Sequence, residues 1–404
     1  VAATAPLGGV NVTPIGALPL SDADRTVAAA HALHASVIRT EMAWSVLEPE
    51  PNVFEPHAEA FADRLISDAA AAGIRVVLTV DSSPCWASSA PASILSSCSP
   101  AHSGPANAWP PANPSTYATF VAQVAARYGT HLAGIEVWNE PDQANQLYFA
   151  GPEKAVRYAA LLRAAYPAIK AANAQVPVLA GSLVGSNGIF LRALYAAGIK
   201  GYYDGLAVHF YTVTLAALRS IHEVQLANGD GTPLWLDEFG WSNCWPKQKI
   251  QEEQGCVTTQ TQAANLTALV HQLSHASYVA AEVVYKLQDS GSENFGLVTT
   301  SDKTKPAFNA LAKVFANPFG SAPRVTVHLR RRSGHVLVTG SGPVGDYLKL
   351  VAYKGKVARF FEEFSLNRFN EYSIALPSSL GTSHLRVRVY QYWAGPSSAA
   401  QKTI

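Results

Sequence analysis

One rhythm runs through the first three quarters of the chain: a short β-branched run, a polar loop, then an alanine-rich helical stretch. The runs are residues 9–12, 37–44, 75–81, 134–140, 177–182, 205–211, 234–241 and 283–288. Between them lie amphipathic stretches at 22–35, 59–72, 115–128, 153–172, 189–197, 215–226, 260–278 and 305–315. Strands that alternate with helices build parallel β/α units. Eight such units in roughly 250 or more residues predict an α/β chain closed into a (β/α)₈ TIM barrel. The alternative is an open doubly wound sheet, but no Gly-x-Gly-x-x-Gly follows the first run. After residue 317 the rhythm changes. "RVTVHLRRRSGHVLVTG", "YLKLVAYKGKVARFF" and "HLRVRVYQYW" alternate apolar and polar residues, which is the pattern of antiparallel β. The expected division is a catalytic-type barrel over 1–317 and a small antiparallel β-sandwich accessory domain over 318–404.

Charge narrows the partners. With 30 Lys+Arg against 29 Asp+Glu, the net charge is +1, and no basic block or acidic tail appears. Nucleic acid and anionic membranes are therefore excluded as expected partners. No apolar run approaches the roughly 20 residues that span a bilayer. The chain starts at Val1 without an initiator Met, which fits a mature form after signal-peptide removal and equally a trimmed chain. Its four cysteines allow three pairings and lack the short spacing of a zinc site. Two local staples, Cys85–Cys98 and Cys244–Cys256, are the simplest pairing. Disulfides persist in oxidising compartments, so a secreted or periplasmic protein is expected.

In a barrel of this kind, chemistry sits where strands end. Those ends carry Arg39, Glu41 and Trp44; Asp81 and then Trp86; Trp138, Asn139 and Glu140; His209 and Tyr211; Asp237, Glu238 and Trp241; and Lys286, Gln288 and Asp289. In "GIEVWNEPDQ" the proline after Glu140 is expected to hold that residue extended. Glu140 and Glu238 end the fourth and seventh runs, across the barrel mouth from each other. Glycoside hydrolysis needs such a pair, one to protonate the departing oxygen and one to attack or stabilise the anomeric carbon. A lone glutamate at a strand end more often makes a salt bridge. The pair, flanked by Asn, His, Tyr and Trp, points to chemistry.

"VWNEP" and "LDEFGW", with "IRTEMAWSVLEPEPNVF" before them and "ENFGLVTTSDKTKPAFNAL" after, resemble the clan A retaining glycoside hydrolases. Within that clan the chain is most similar to family 39 and its bacterial exopolysaccharide-hydrolase relatives, over roughly residues 8 to 316. The resemblance implies Glu140 as general acid/base and Glu238 as nucleophile. It implies Asn139 at the sugar's 2-hydroxyl, His209 and Tyr211 orienting the nucleophile, and Arg39 beneath it. Strand eight departs from the pattern: "YKLQDS" offers Lys286 but no tryptophan to lie under the sugar.

Sugar rings present apolar C–H faces that aromatic rings cover, so tryptophans are candidate subsite residues. Trp44, Trp86, Trp138 and Trp241 join Arg39, Asp81, Asn139, His209, Tyr211 and Lys286 as expected substrate contacts. Trp109 and Trp245 also lie in loops, and the long loop 82–113 is a candidate wall of the site. Trp235, three before Glu238, is assigned to the opposite strand face, against the helices. No cofactor and no metal is expected, since no Asp-rich loop appears. The expected partner is a neutral oligo- or polysaccharide, an arabinoside, xyloside or microbial exopolysaccharide, bound by a monomer. The competing reading is a non-catalytic carbohydrate-binding barrel.

Overall fold

A computed structural model describes residues 5–404 except 17, 212–213, 244–256, 292, 320–323, 343–346, 368–370 and 392–398. Strands β1 (Leu7–Asn11), β2 (Val37–Ala43), β3 (Arg75–Asp81), β4 (Leu132–Val137), β5 (Val178–Leu183), β6 (Gly205–His209), β7 (Leu234–Phe239) and β8 (Val279–Val284) pair in parallel. β1 also pairs with β8, so the barrel closes. Helices Leu20–Ala32, Pro56–Ala71, Pro114–Tyr128, Lys154–Ala172, Ile189–Ala196, Thr214–Ala227, Thr259–Leu273 and Pro306–Ala316 surround it. Local signals set several of their starts. Pro56, Pro114 and Pro306 open helices, where a missing N–H costs nothing, and the side chains of Glu55 and Asn113 cap two of them.

Strand parity sorts side chains into two populations. Outward positions such as Ile38, Met42, Val76, Leu78, Val80, Ile135 and Val137 pack on the helices in one large apolar core. Inward positions are apolar only at the lower end, where Val37, Val77, Leu179, Ala207, Trp235, Ala281 and Val283 form a separate cluster. Trp235 is therefore core, but it fills the barrel interior and does not face the helices. Gly205 makes room for it: a Cβ there would stand 2.5 Å from the indole nitrogen. The expected direction was wrong because the β7 pairing shifts register near its end, so Asp237 and Glu238 both reach the inner side. Counting parity back from Glu238 then errs by one residue.

Strand eight is also displaced from its expected span, lying at Val279–Val284 and leaving Tyr285–Asp289 as loop. Glu282 hid it: this acid is fully buried on an outward position, where the apolar pattern should have continued.

Beyond the barrel, β9 (His328–Arg332), β10 (His335–Ser341) and β13 (Glu371–Ala375) form one antiparallel sheet. β11 (Tyr347–Lys354), β12 (Val357–Ser365), β14 (Leu385–Gln391) and β15 (Ala400–Thr403) form another. Val336, Val338 and Ile374 of the first share a core with Leu348, Leu350, Val387 and Val389 of the second. Contacts reach the barrel helices through Arg219–Glu363 at 3.7 Å and Gln391–Gln272 at 2.7 Å.

Candidate active site

Above the apolar layer the barrel interior turns polar, and Arg39 is its centre. The guanidinium is 2% exposed and fans out to five acceptors. Nε reaches Glu136 Oε2 at 2.8 Å; Nη1 reaches Asn11 Oδ1 at 2.9 Å and Glu238 Oε1 at 2.8 Å; Nη2 reaches Asn139 Oδ1 at 3.0 Å and Glu136 Oε1 at 3.3 Å. A planar fork in a fixed place holds strands β1, β2, β4 and β7 in one geometry. Glu136 was not anticipated, although it lies four residues before Glu140 with the same strand parity. It also accepts from Thr79 at 2.8 Å.

The two expected acids meet across the mouth. One oxygen each of Glu140 and Glu238 and a ring nitrogen of His209 all lie within 4.8 Å of one another. Tyr211 donates to Glu238 Oε2 at 2.6 Å, so both oxygens of Glu238 are held, one by Tyr211 and one by Arg39. His209 departs from expectation. Its Nδ1 lies 2.7 Å from Glu140 and 3.5 Å from Glu238, so it serves mainly the other acid. Gln143 Nε2 donates to the second oxygen of Glu140 at 2.8 Å. Asn139 is held by Arg39 and by Ser182 Oγ at 3.2 Å.

Glu140 is not extended. Its φ is +42°, and Trp138 (φ +71°) and Ser82 (φ +63°) share the left-handed region. A proline neighbour disfavours this, so the surroundings must enforce it. They do: Glu140 N–H donates to Ser182 Oγ at 3.2 Å, its carbonyl accepts from Gln143 N at 3.2 Å, and Trp138 N–H donates to Val80 O at 3.0 Å.

The cavity at the mouth has a volume of about 350 Å³. Glu140, Glu238, His209 and Tyr211 line it, together with Gln143 and Tyr148 from the loop after β4, and Tyr285, Glu293 and Phe295 from the loop after β8. Other expected contacts stand back from it. Trp44 is fully buried and packs edge-on against Trp86 with centroids 5.3 Å apart, its indole nitrogen on Glu48 at 2.7 Å. Trp86 donates to the Glu48 carbonyl at 3.1 Å. Trp138 is buried, donating to Tyr148 O at 2.7 Å, and Trp241 is buried in the helix-packed core. Asp81 is buried at the end of β3, and Lys286 binds Glu293 at 2.6 Å. None of the lining residues comes from 82–113. That loop is instead tied down, with Cys85 and Cys98 bonded to each other and Ala150 N–H donating to Ala108 O at 2.8 Å. Cys244, Cys256 and Trp245 lie outside the described residues.

Six acids crowd two cations here, and environment decides which stay charged. Burial pushes Asp237 well above the usual carboxylate range, and the neighbouring Glu136 adds to the rise. Asp81 and Glu41 are likewise raised, by burial first. Burial also works against charge on Glu136, but Arg39 outweighs it and holds that carboxyl at about 2. For His209 burial is outweighed by Glu238 and Glu140, which lift the imidazole to about 9. Glu140 is the counterpart: burial pushes it up, but His209 and Gln143 prevail and bring it below its ordinary value.

The barrel has known counterparts. A family 39 glycoside hydrolase from the gut symbiont Bacteroides cellulosilyticus superposes with a TM-score of 0.61 at 19% identity, covering 92% of this chain and 81% of that one. A family 39 enzyme from Xanthomonas axonopodis pv. citri gives 0.57 at 14%, covering 93% of both. A family 5 subfamily 18 enzyme from Streptomyces cattleya, in complex with Manβ1-4GlcNAc, gives 0.56 at 18%, covering 79% and 82%. No curated protein matches the chain. These likenesses show the barrel fold. The model of the family described as Cellulase (glycosyl hydrolase family 5) matches residues 7–277, the barrel from its first strand to the helix before its last. The chain belongs to that family and is a glycosidase.

Proposed function

We propose that the protein hydrolyses a neutral glycan with retention of anomeric configuration, Glu140 acting as acid/base and Glu238 as nucleophile. The carrying observation is the 4.8 Å limit on the distance between their carboxylate oxygens. Double displacement uses carboxyl groups about 5–5.5 Å apart, whereas inversion leaves about 6.5–9.5 Å for a water. Arg39 and Tyr211 orient Glu238 toward the anomeric carbon. Glu140 gives a proton to the departing oxygen as the C–O bond breaks and the glycosyl ester forms on Glu238. It then takes a proton from the water that cleaves that ester. His209 supplies the resting proton, because its Nδ1 shares a 2.7 Å hydrogen bond with Glu140.

A neutral substrate is supported by the lining. Glu140, Glu238 and Glu293 face the cavity, and Lys286 beside it is committed to Glu293. The cations His209, Arg39 and Lys286 are already paired with Glu140, Glu238 and Glu293, so a uronate would have to compete for each of them. Arabinosides, xylosides and microbial exopolysaccharides remain the substrate classes put forward. The family 39 enzymes superpose over 92% and 93% of this chain, which supports an architecture shared with them. The Cys85–Cys98 bond supports a secreted or periplasmic site of action, and among the described residues no helix is long and apolar enough to cross a membrane. Residues 318–404 are proposed as a structural accessory unit of a monomer. Truncation after Pro318 should cost solubility; a soluble truncate that lost only polymer binding would make the unit a sugar-binding module.

The mechanism is tested by the anomer released first, followed by NMR. Retained configuration is expected, with turnover lost in Glu238→Gln. In Glu140→Ala, substrates with activated leaving groups should be spared relative to natural ones. An inverted first product would refute the assignment.

A further inference from the structure

The net charge of +1 hides an unequal division. Residues 318–404 carry 12 Lys+Arg against 4 Asp+Glu, a net charge of +8, while residues 1–317 carry 18 against 25, a net charge of −7. Exposed arginines of the barrel are matched where they stand: Arg25 by Asp22, Arg64 by Asp24 and Asp68, Arg127 by Glu59 and Asp63. In the β unit the ion pairs among the described residues are made by Glu363, with Arg219 and Lys349. Arg324, Arg330 and Arg332 are exposed and take part in neither.

These three share one face. In "RVTVHLRRR" Val325, Val327 and Leu329 turn to the core between the sheets, so Arg324, Thr326, His328, Arg330 and Arg332 lie on the outer side of the three-stranded sheet. At about 3.4 Å per residue they make a row about 27 Å long. The row is pinned along β10, where Thr326 N–H donates to Ser341 O at 2.8 Å and the Tyr372 hydroxyl donates to Thr326 O at 2.6 Å. Gly340 permits that approach, since a Cβ there would stand 2.0 Å from Thr326 O. Two depressions, of about 500 and about 390 Å³, meet at His328 and Thr339. Arg330 and Lys402 line the first, and Ser341, Ser373 and the lone acid Glu371 line the second. Contacts with the barrel at Glu363 and Gln391 belong to the four-stranded sheet, so the row does not serve to dock the unit on the acidic barrel.

We propose that this outer face binds an anionic polysaccharide bearing carboxylates, and that the enzyme holds this polymer without cleaving it. Arginine forks match carboxylates, and the hydroxyls of Thr326, Thr339 and Ser373 between them suit the hydroxyls of sugar units. Among the described residues lining the depressions, no aromatic ring is exposed for bases to stack on, and no large apolar side chain is exposed to enter a membrane. Binding here is separate from the proposed hydrolysis: the barrel cavity is faced by Glu140, Glu238 and Glu293 and takes the neutral chain.

The test titrates polygalacturonate into the full chain by calorimetry, with fully methyl-esterified polygalacturonate as the same polymer without charge. Polygalacturonate should bind at least about 10-fold more tightly than its ester, and more weakly as salt rises from about 50 to about 200 mM. Changing Arg324→Gln, Arg330→Gln and Arg332→Gln together should weaken binding about 10-fold or more, with melting unchanged. If that triple variant does not fold, Arg330→Gln alone should weaken binding about two- to fivefold. Lys356→Gln with Arg359→Gln, on the four-stranded sheet, should stay within about twofold of wild type. Absence of binding, equal binding of the ester, or an equal loss in that control pair overturns the site. Tighter binding of duplex DNA or of phosphatidylglycerol vesicles overturns the choice of a polysaccharide. Reducing ends released from polygalacturonate overturn the claim that it is held uncleaved.

Discussion

Replacing His209 with Asn should move the alkaline limit of activity, and the structure sets the scale. Facing the imidazole are Arg39 and Glu41 from β2, Glu136 and Glu140 at β4, and Asp237 and Glu238 at β7. Burial opposes its charge, yet the two carboxylates raise His209 from 6.5 to about 9. At one pKa unit per about 1.4 kcal/mol, that is about 3 kcal/mol favouring the protonated ring. Glu140 is lowered by the same contact, so the two groups hold one proton in common, resting on the imidazole at neutral pH. For wild type, kcat/KM on a glycoside with an unactivated leaving group should hold until about pH 9. In His209→Asn the proton must sit on Glu140 alone, and the limb should fall well below pH 9, toward the carboxyl range. At pH 8 the variant should lose about tenfold or more relative to its own value at pH 5, while wild type loses little. An alkaline limb that stays near 9 in the variant would refute the shared-proton argument. Folding is linked to the same group. His209 is protonated more readily in the native state, so its contribution is complete below pH 6.5 and is lost as pH rises through about 9. Melting at each pH separates that effect from chemistry.

Arg39→Lys keeps the charge but not the fork, and should destabilise the fold by about 3 kcal/mol or more and reduce kcat by over about 100-fold, measured by denaturant unfolding and initial rates. Glu282 is buried with Oε2 unpartnered, and burial raises its carboxyl well above the usual range. The unfolded chain releases this proton above its ordinary value while the native state keeps it, so stability falls as pH rises. Glu282→Leu should therefore raise stability by about 1–3 kcal/mol at pH 7 and by less at pH 4, read from melting curves. Opening the Cys85–Cys98 staple, whose ends are 13 residues apart, should cost up to about 3 kcal/mol in the chain-entropy model. Equal unfolding midpoints for wild type and Cys98→Ser would count against that figure.

Much of the barrel was legible because its physics is local. A helix such as Pro114–Tyr128 declares itself by a proline at its first position and an apolar face, and a strand such as Arg75–Asp81 by β-branched residues. The failures were long-range. Glu282 interrupts an apolar run from a position buried by helices that only the closed barrel brings together. Trp235 lies on the inner face because β7 shifts against both neighbours, a feature that depends on partners and not on the strand's own residues.

The site divides along the same line. Residues fixed to strands were readable: Arg39, Asn139, Glu140, His209 and Glu238 sit where the strand ends placed them. Their pairings were not, since whether His209 bonds Glu140 or Glu238 turns on 2.7 against 3.5 Å. Tryptophan was the misleading signal. Trp44 and Trp138 look like sugar platforms, yet an indole at a strand end has a large apolar area and a single N–H to satisfy. Trp44 buries itself by donating to Glu48, and Trp138 by donating to the Tyr148 carbonyl. Two of the loop residues that line the cavity are pinned from outside, Tyr148 through Trp138, and Glu293 through Lys286 and Tyr285. A buried tryptophan thus acts at one remove, fixing the backbone that carries the exposed ring. Trp138→Phe should accordingly loosen the loop and weaken oligosaccharide turnover without touching the carboxylates. Hydrogen exchange across residues 141–153 would show it; unchanged protection there would mean that the indole bond does not hold the loop.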